Sequence, residues 1–284
     1  MIIDRPAIDW LTLTSFDYKS WKQGLEITRY LSGGDYDSET EKRWKQYKGR
    51  GGEQYFAGEA TQGKDKKQNF MLRLSGDLSD IYMAYHKKPD MDCTRIDVQL
   101  TTATNIKLED LKDVYRVAED ELLEHEKARK QYERDVELRS SKTGYTLYIG
   151  ARAGDGKFYR VYVKVLHGVL YNRFEVECKG KETISGPLYR VLCVNPVHMG
   201  RVLAGELSTL PDHLPPIEDF KYMMRHIDGD IFKMEKRIPD EMATIRWLET
   251  QVIPAWKRQL SMHDTRQIAQ TLLNDLYDFS EGLE

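Results

Sequence analysis

Alternation between apolar and polar residues predicts β-strands with one buried face along much of the chain. In the run from Cys93 to Leu100 the two sides are distinct, with Ile96, Val98 and Leu100 on one and Arg95, Asp97 and Gln99 on the other. Side chains of a strand point alternately to opposite faces of a sheet. This run therefore predicts a strand with one face on a core and a polar opposite face.

The stretch from Tyr145 to Lys179 repeats this pattern in three predicted strands separated by short turns. In its last strand the two faces carry Phe174, Val176 and Cys178 against Arg173, Glu175 and Glu177. The middle strand, residues 160–164, alternates in the same way. We expect a row of charged side chains on one face of the sheet, opposite the core.

Shorter patterns complete the predicted architecture. Further strands are predicted at residues 9–14, 54–60, 69–74 and 81–85, and helices at 19–31, 108–136, 187–207, 217–225, 240–260 and 264–279. Residues 34–52 are polar and turn-rich, which predicts an exposed loop. This order favours an α+β fold: a central antiparallel sheet flanked by helices, with a helical C-terminal region.

The segment PDHLPP, residues 211–216, is the best candidate for a domain boundary. It separates a predicted sheet-containing domain, residues 1–210, from a helical region, residues 211–284. The two prolines that follow Leu214 disfavour continuous regular structure across this segment.

Composition limits the classes of protein that these elements can build. A 40% hydrophobic content supplies a core, and no apolar run reaches the roughly 20 residues that span a bilayer. The first residues lack the pattern of a secretion signal, so we expect a soluble, cytoplasmic protein. Cys93, Cys178 and Cys193 show no CxxC spacing and are predicted to be reduced thiols rather than zinc ligands.

Phosphate-binding loops and paired histidines are both absent from the sequence. There is no GxxxxGK[ST] and no GxGxxG, and the Gly-rich segment 150–156 is predicted to be a hairpin between two strands. None of the seven histidines forms an HxH or HExxH motif. A kinase, a dinucleotide-dependent enzyme and a histidine-based metal centre are therefore disfavoured.

A local basic cluster stands out against the net charge of −3. It interleaves cationic and aromatic side chains: Lys42, Arg43, Trp44, Lys45, Lys48 and Arg50. One interpretation is a solvated loop. The other is a loop that binds phosphates while an aromatic ring stacks on bases.

Acidic residues of two predicted strands form the main candidate for a chemical site. Asp97 lies on the polar face of one strand, and Glu175 and Glu177 lie on the polar face of another. Convergent carboxylates suit Mg²⁺ or Mn²⁺, which can activate a phosphodiester. Ion pairs between strands are the alternative interpretation.

Four motifs in order resemble the Rep-trans family of rolling-circle replication initiators, which occur in plasmids and phages and are related to relaxases. They are IDWLTLT at 8–14, TRIDVQLT at 94–101, TLYIGARAGDGKFYRVYVK at 146–164 and RFEVECK at 173–179. The similarity covers about residues 8 to 190. It leaves the helices after residue 210 without an interpretation.

The resemblance implies an enzyme that nicks and joins DNA with the help of a divalent metal. A tyrosine would attack a phosphodiester and leave a 5′-phosphotyrosyl link with a free 3′-OH. It implies Tyr189 as the first candidate nucleophile and Tyr162 as the second. Asp97, Glu175 and Glu177 would hold Mg²⁺ or Mn²⁺.

The basic residues of these motifs receive roles from the same resemblance. Arg160 and Lys164 would neutralise the scissile phosphate or the leaving oxygen, and Arg95, Arg152 and Arg173 would contact DNA. The implied partners are origin DNA, single-stranded or in an extruded hairpin, a second copy of the chain and a host helicase. Two other classes stay open: a DNA-binding protein of the same fold without catalysis, and a structural protein whose polar face docks a partner.

Overall fold

The computed structural model describes residues 4–33, 35–41, 44–49, 54–62, 67–85, 87–128, 134–141, 144–152, 154–166, 169–227 and 229. The strands are β1 Ala7–Ser15, β2 Asp35–Glu41, β3 Trp44–Gly49, β4 Gln54–Gln62, β5 Lys67–Ser75, β6 Asp92–Ala103, β7 Val136–Ser141, β8 Gly144–Ile149, β9 Gly156–Leu166 and β10 Val169–Lys179. The helices are α1 Tyr18–Leu31, α2 Asp77–Ala84, α3 Leu111–Ala128, α4 Ser185–Val194, α5 His198–Leu207 and α6 Pro215–Met224.

One antiparallel sheet unites all ten strands of this described part of the chain. Their order is β2-β3-β4-β5-β1-β6-β10-β9-β8-β7. Strands β6, β10 and β9 are consecutive in this order, and Asp97 pairs with Glu177 while Glu175 pairs with both Gln99 and Arg160. The α+β prediction, with a central antiparallel sheet flanked by helices, is confirmed.

The hydrophobic core lies between the apolar face of the sheet and the helices. Each described helix contributes buried side chains to it, among them Trp21, Tyr82, Tyr115, Leu188, Leu203 and Phe220. They pack with sheet residues such as Ile96, Val98 and Val176, all fully buried. The predicted apolar faces of β6 and β10 are therefore confirmed.

Helix α1 shows how local signals and packing agree in the first part of the chain. The Asp17 carboxylate accepts hydrogen bonds from the backbone N–H groups of Lys19 and Ser20 and so caps the first turn. The Trp21 indole donates to the Met71 carbonyl at 3.0 Å, which anchors the helix on β5. The predicted helix at 19–31 is confirmed.

The prediction of a strand at 81–85 is wrong, because α2 occupies this segment. Gly76 has a φ of 60°, a left-handed conformation that lets the chain turn sharply out of β5. Leu78, Tyr82 and Met83 are then buried together, at a spacing that a helix satisfies. The β-propensity of the isoleucine, tyrosine and methionine side chains was outweighed by this helical packing.

Two other predicted elements change their bounds or type. Residues 34–52, predicted as a loop, contain the paired strands β2 and β3, which extend the sheet on one side. The predicted helix at 108–136 is found as α3, Leu111–Ala128, and Val136 instead begins β7, while residues 129–133 lie outside the described residues. Leu122 and Glu126 are buried, so α3 keeps a packed face into its charged second half.

The predicted helix at 187–207 is divided into α4 and α5. The division falls at Asn195 and Pro196. Proline has no backbone N–H and disfavours the α conformation in the residue before it, and Asn195 accordingly has an extended ψ of 96°. The predicted helix at 217–225 is confirmed as α6, whereas those at 240–260 and 264–279 lie outside the described residues.

The chain divides into two compact units, Met1–Glu235 and Lys236–Glu284. All the described residues belong to the first unit, including α6, which follows the predicted boundary at 210. Phe220 of α6 packs on Phe174 of β10 with ring centroids 6.0 Å apart. The assignment of residues 211–284 to a separate helical region stays a prediction.

The remaining global predictions concern thiols and membranes. Cys93, Cys178 and Cys193 are free, and the first two are buried. No helix in the described part of the chain is long and apolar enough to cross a membrane. The cytoplasmic location stays a prediction.

Replacing Phe220 by alanine should lower the free energy of unfolding by about 3–5 kcal/mol, because a buried aromatic ring leaves a cavity when removed. Tyr222 of the same helix is 65% exposed, and its replacement by alanine should cost less than about 1 kcal/mol. Urea unfolding of the full chain measures both. Equal losses would show that α6 does not depend on its contact with the sheet.

Candidate functional site

The polar face of the central strands gathers the charged residues into one cluster. Alternation along β6, β10 and β9 places Asp97, Glu175, Glu177 and Arg160 opposite the core, and register brings them side by side. The carboxylates of Asp97, Glu175 and Glu177 are at most 1% exposed. The predicted charged row is confirmed, but its acidic members are buried under longer side chains.

Arg160 lies among these carboxylates and contacts more than one of them. Its Nη2 atom donates to Asp97 Oδ2 at 3.0 Å and lies 2.6 Å from Glu175 Oε2. The same atom is 3.9 Å from Glu177 Oε2. A single guanidinium group therefore neutralises parts of a site built from three strands.

Arg95 forms a second bridge on the same face. Its Nε and Nη2 atoms donate to the two oxygens of Asp97 at 2.8 and 2.5 Å, in a fork that matches the carboxylate. Its Nη2 also lies 2.8 Å from Glu177 Oε2, and Lys179 Nζ lies 2.7 Å from Glu177 Oε1. Arg95 and Arg160 are both about one-fifth exposed, so they cover the carboxylates from solvent.

Burial and ion pairing act in opposite directions on these groups. Burial raises the pKa of Asp97 to about 6, although Arg95 and Arg160 oppose the shift. For Arg160, burial acts to lower the pKa, but Glu175 and Asp97 leave it above its ordinary value. The arginines therefore stay charged, while Asp97 takes up a proton at a higher pH than an exposed aspartate does.

Tyr162 forms a second group of contacts next to this cluster. Its hydroxyl donates to Glu175 Oε1 at 2.5 Å. Arg173 Nη1 lies 3.3 Å from the same carboxylate oxygen and 3.4 Å from the Tyr162 hydroxyl. Burial first, and then the charge of Glu175, raise the pKa of Tyr162, so the phenol is un-ionised and hydrogen-bonded to a potential base.

Asp9 belongs to this group, and the sequence interpretation did not include it. A register shift between Ile8 and Trp10 interrupts the regular pairing of β1 with β6. The Asp9 carboxylate then accepts a hydrogen bond from Arg173 Nη1 at 3.0 Å. The position of Asp9 in the IDWLTLT motif could have marked it as a candidate site residue. The alternation of apolar and polar residues alone could not predict that Asp9 lies beside Arg173.

Lys164 stands at the edge of the Tyr162 group. Burial lowers the pKa of this half-buried lysine, and the positive charge of Arg173 lowers it further. Such a lysine gives up a proton more readily than an exposed one. That Arg160 and Lys164 neutralise a scissile phosphate or a leaving oxygen stays a prediction.

Aromatic rings continue the polar face on both sides of the carboxylates. Arg95 and Arg73 lie over the Trp10 ring, with their Cζ atoms 4.8 and 5.4 Å from its centroid. On the other side Tyr148 stacks on Phe158 at 5.5 Å. Alternating cationic and aromatic groups of this kind suit a single strand of nucleic acid, whose phosphates and bases need both.

The predicted DNA contacts differ in exposure. The Arg173 side chain is only 4% exposed and is held by Thr101 and Asp9, whereas Arg152 is 57% exposed with its Cζ 5.8 Å from the Phe158 ring centroid. Among Arg95, Arg152 and Arg173, Arg152 is therefore the most accessible. The side chains of the basic cluster lie outside the described residues: Lys42, Arg43, Trp44, Lys45, Lys48 and Arg50.

Tyr189, the first candidate nucleophile, is placed elsewhere. It lies on α4 and is buried in the core, near Tyr82, Cys93 and Cys193. Burial raises the pKa of its hydroxyl well above the ordinary value. No contact of the described residues joins Tyr189 to Asp97 or Glu175, so the structure does not bring the predicted nucleophile and carboxylates together.

Positively charged arginine side chains lie among the carboxylates that were predicted to bind a metal ion. In the described part of the chain no group of three or more His, Cys, Asp or Glu side chains is placed to hold a metal ion. Oxygen ligands of Asp97, Glu175 and Glu177 suit a hard cation in kind. The guanidinium groups of Arg95 and Arg160 nevertheless lie between them, so these residues, as placed, do not fit a divalent cation.

Solved structures to which this chain is similar include the following two. A rolling-circle replication initiator protein from Geobacillus stearothermophilus superposes with a TM-score of 0.43 and 15% identity, over 72% of this chain and 85% of that one. DynU16, a putative protein of the dynemicin biosynthetic locus, gives a TM-score of 0.21 and 11% identity, over 65% and 92%. No family model and no curated protein matches the sequence. Likenesses this low carry no argument about activity.

Replacing Asp97 by asparagine should change how stability depends on pH. Because the pKa of Asp97 is raised to about 6 in the folded state from 3.8, the stability it contributes is full below about pH 4 and is lost as the pH rises through 6. The unfolding free energy of wild type minus that of Asp97→Asn should fall by on the order of 2 kcal/mol between these limits. Urea unfolding across this pH range measures it.

Asp120, an exposed carboxyl on α3, supplies the matched control. The wild-type value minus that of Asp120→Asn should stay level over the same range. A wild-type advantage over Asp97→Asn that grows as the pH rises would contradict the assigned direction of the shift.

Proposed function

We propose that this protein nicks and rejoins single-stranded DNA and acts in the initiation of replication, with Tyr162 as its nucleophile. The observation that carries the proposal is the 2.5 Å hydrogen bond from the Tyr162 hydroxyl to Glu175, beside the guanidinium group of Arg173. A nucleophile, a base within hydrogen-bond reach and a third group that orients the base form the arrangement expected of covalent catalysis. DNA is the substrate that the motif resemblance implies.

In the first step the Tyr162 oxygen attacks a phosphorus atom of the DNA backbone. Glu175 accepts the phenolic proton, and the bond from phosphorus to the 3′-oxygen breaks. The products are a 5′-phosphotyrosyl link and a free 3′-OH, whose proton comes from Lys164. Reversal of these transfers by another 3′-OH rejoins the strand and regenerates the tyrosine.

Positive charge close to Tyr162 supports this chemistry. Arg160 Nη2 and Arg173 Nη1 contact opposite oxygens of Glu175, at 2.6 and 3.3 Å. A phosphate that approaches the Tyr162 hydroxyl would therefore meet two guanidinium groups, which stabilise the charge that develops on its oxygens. The lowered pKa of Lys164 suits transfer of a proton to the leaving oxygen.

Tyr162 is a better nucleophile than Tyr189 on geometric grounds. The Tyr162 hydroxyl donates to the Glu175 carboxylate, whereas Tyr189 packs in the core beside a cavity at α4 and has no carboxylate partner among its described contacts. An attacking hydroxyl needs a base within hydrogen-bond reach. Of the two candidates, Tyr162 meets this requirement.

Replacing Tyr162 by phenylalanine should reduce formation of the covalent protein–DNA adduct by at least about 100-fold, since the attacking oxygen is absent. Tyr189→Phe should form the adduct as wild type does. The measurement uses 3′-end-labelled single-stranded oligonucleotides that tile the DNA around the gene, resolved on denaturing gels. A 5′-phosphotyrosyl link joins the protein to the fragment that carries the 3′ label. The labelled band is therefore shifted on the gel only if the tyrosine becomes linked to the 5′ end.

Binding without chemistry is the second candidate function. The observation that favours it is the extent to which Asp97, Glu175 and Glu177 are already neutralised by Arg95 and Arg160. In that case wild type and both tyrosine variants would show no adduct, while DNA binding persists. Loss of the adduct in Tyr189→Phe alone would instead return the nucleophile to α4.

Replacing Arg152 by alanine should weaken single-stranded DNA binding and flatten its salt dependence. One lost phosphate contact lowers the slope of log affinity against log salt by about 0.7 for a single strand. Arg225→Ala is the control, because this exposed arginine lies on Tyr222 of α6 instead of the polar face. Fluorescence anisotropy with an oligonucleotide over a salt series gives both slopes. Equal slopes for Arg152→Ala and wild type would exclude Arg152 from the DNA contacts.

A further inference from the structure

The carboxylates of the polar face contact their arginine neighbours in an unusual way. Glu175 Oε2 and both oxygens of Glu177 are buried and accept no well-directed hydrogen bond in the described structure. Glu175 Oε2 nevertheless lies 2.6 Å from Arg160 Nη2, and Glu177 Oε2 lies 2.8 Å from Arg95 Nη2. These N···O distances are those of ion pairs, but the N–H groups do not point at the oxygens as a hydrogen bond requires.

A positive charge placed among oxygens of several carboxylates is what a bound divalent cation also provides. Arg160 Nη2 lies within 3.0 Å of one oxygen each of Asp97 and Glu175, which come from different strands. A divalent ion shared by these residues would need the same position between the strands. The guanidinium therefore supplies positive charge where the motif resemblance implies Mg²⁺ or Mn²⁺.

The total charge of the cluster also indicates that arginine, and not a metal ion, neutralises the carboxylates. Asp9, Asp97, Glu175 and Glu177 face Arg95, Arg160, Arg173 and Lys179, each of these cations lying within 3.0 Å of at least one carboxylate oxygen. Four negative and four positive charges balance in a site where an uncompensated charge is strongly disfavoured. Adding a divalent cation would leave an excess of buried positive charge, so binding would require a guanidinium to move away.

We propose that Arg160, with Arg95, takes the place of the divalent cation on the polar face, so that the site works without metal and excludes it. Removal of the Arg160 charge would turn Asp97, Glu175 and Glu177 into a divalent-metal site. This inference rests on the proposed function for the identity of the site, but it concerns which cation neutralises the carboxylates. It can therefore fail or hold independently of DNA nicking.

The primary test is cation binding by the full chain. Terbium luminescence, sensitised by Trp10 and Tyr162, and thermal unfolding with millimolar Mn²⁺ should show no saturable binding and no stabilisation in wild type. Arg160→Met should unfold at a lower temperature without metal, bind terbium saturably, and regain part of its stability with Mn²⁺. Both gains should disappear in Arg160→Met combined with Glu175→Gln, which removes one ligand charge.

Arg139→Met is the matched control for loss of an arginine on this sheet. The Arg139 side chain is 62% exposed and pairs with Glu137 alone among the carboxylates it contacts in the described structure, so this variant should bind metal no better than wild type. Saturable binding of terbium or Mn²⁺ by wild type, lost on Glu175→Gln, would overturn the inference. That outcome needs no Arg160 variant, so the test is decisive even if Arg160→Met does not fold.

DNA nicking in a chelator separates this inference from the proposed function. Equal adduct formation by wild type with EDTA and with Mn²⁺ supports both. Adduct that forms only with Mn²⁺ overturns the inference and leaves the proposed function intact. With no adduct under either condition the proposed function fails, and the cation titration alone decides whether Arg160 replaces a metal.

Discussion

Burial of carboxylates on one face of the sheet is the constraint on which the rest of this structure depends. Asp97, Glu175 and Glu177 are almost inaccessible to solvent, and leaving such charges uncompensated would cost several kcal/mol each. The sheet meets this requirement with arginines from neighbouring strands, above all Arg95 and Arg160. The polar face of the sheet can therefore bury charged side chains without leaving any of these carboxylates uncompensated.

The same constraint divides the molecule into a structural side and a chemical side. The described helices bury the apolar face, where Tyr189 contributes to the core. Hydroxyl, carboxylate and guanidinium groups meet on the opposite face, where Tyr162 contacts Glu175. The two tyrosines that the sequence offered as candidates therefore lie on opposite faces of the sheet.

Several elements show where local sequence signals end and packing begins. Strands β1, β6, β9 and β10 follow from alternation because each has one apolar face over a continuous core. Residues 81–85 have the composition of a strand but form part of α2, since Leu78 and Tyr82 can reach the core only from a helix. The β2–β3 pair carries few apolar residues, and its extended structure comes from pairing with the rest of the sheet.

The sequence by itself determined the α+β class, the central strands and the face of each on which Asp97, Glu175 and Arg160 lie, because the period of two along a strand is a local property. Only the tertiary structure decided which of these side chains meet. Arg160 and Asp97 are 63 residues apart, Arg173 and Asp9 are 164 apart, and both contacts depend on strand order, register and the irregularity in β1. Those are properties of the whole sheet, and they turned a row of carboxylates predicted to hold a metal into a cluster neutralised by arginine.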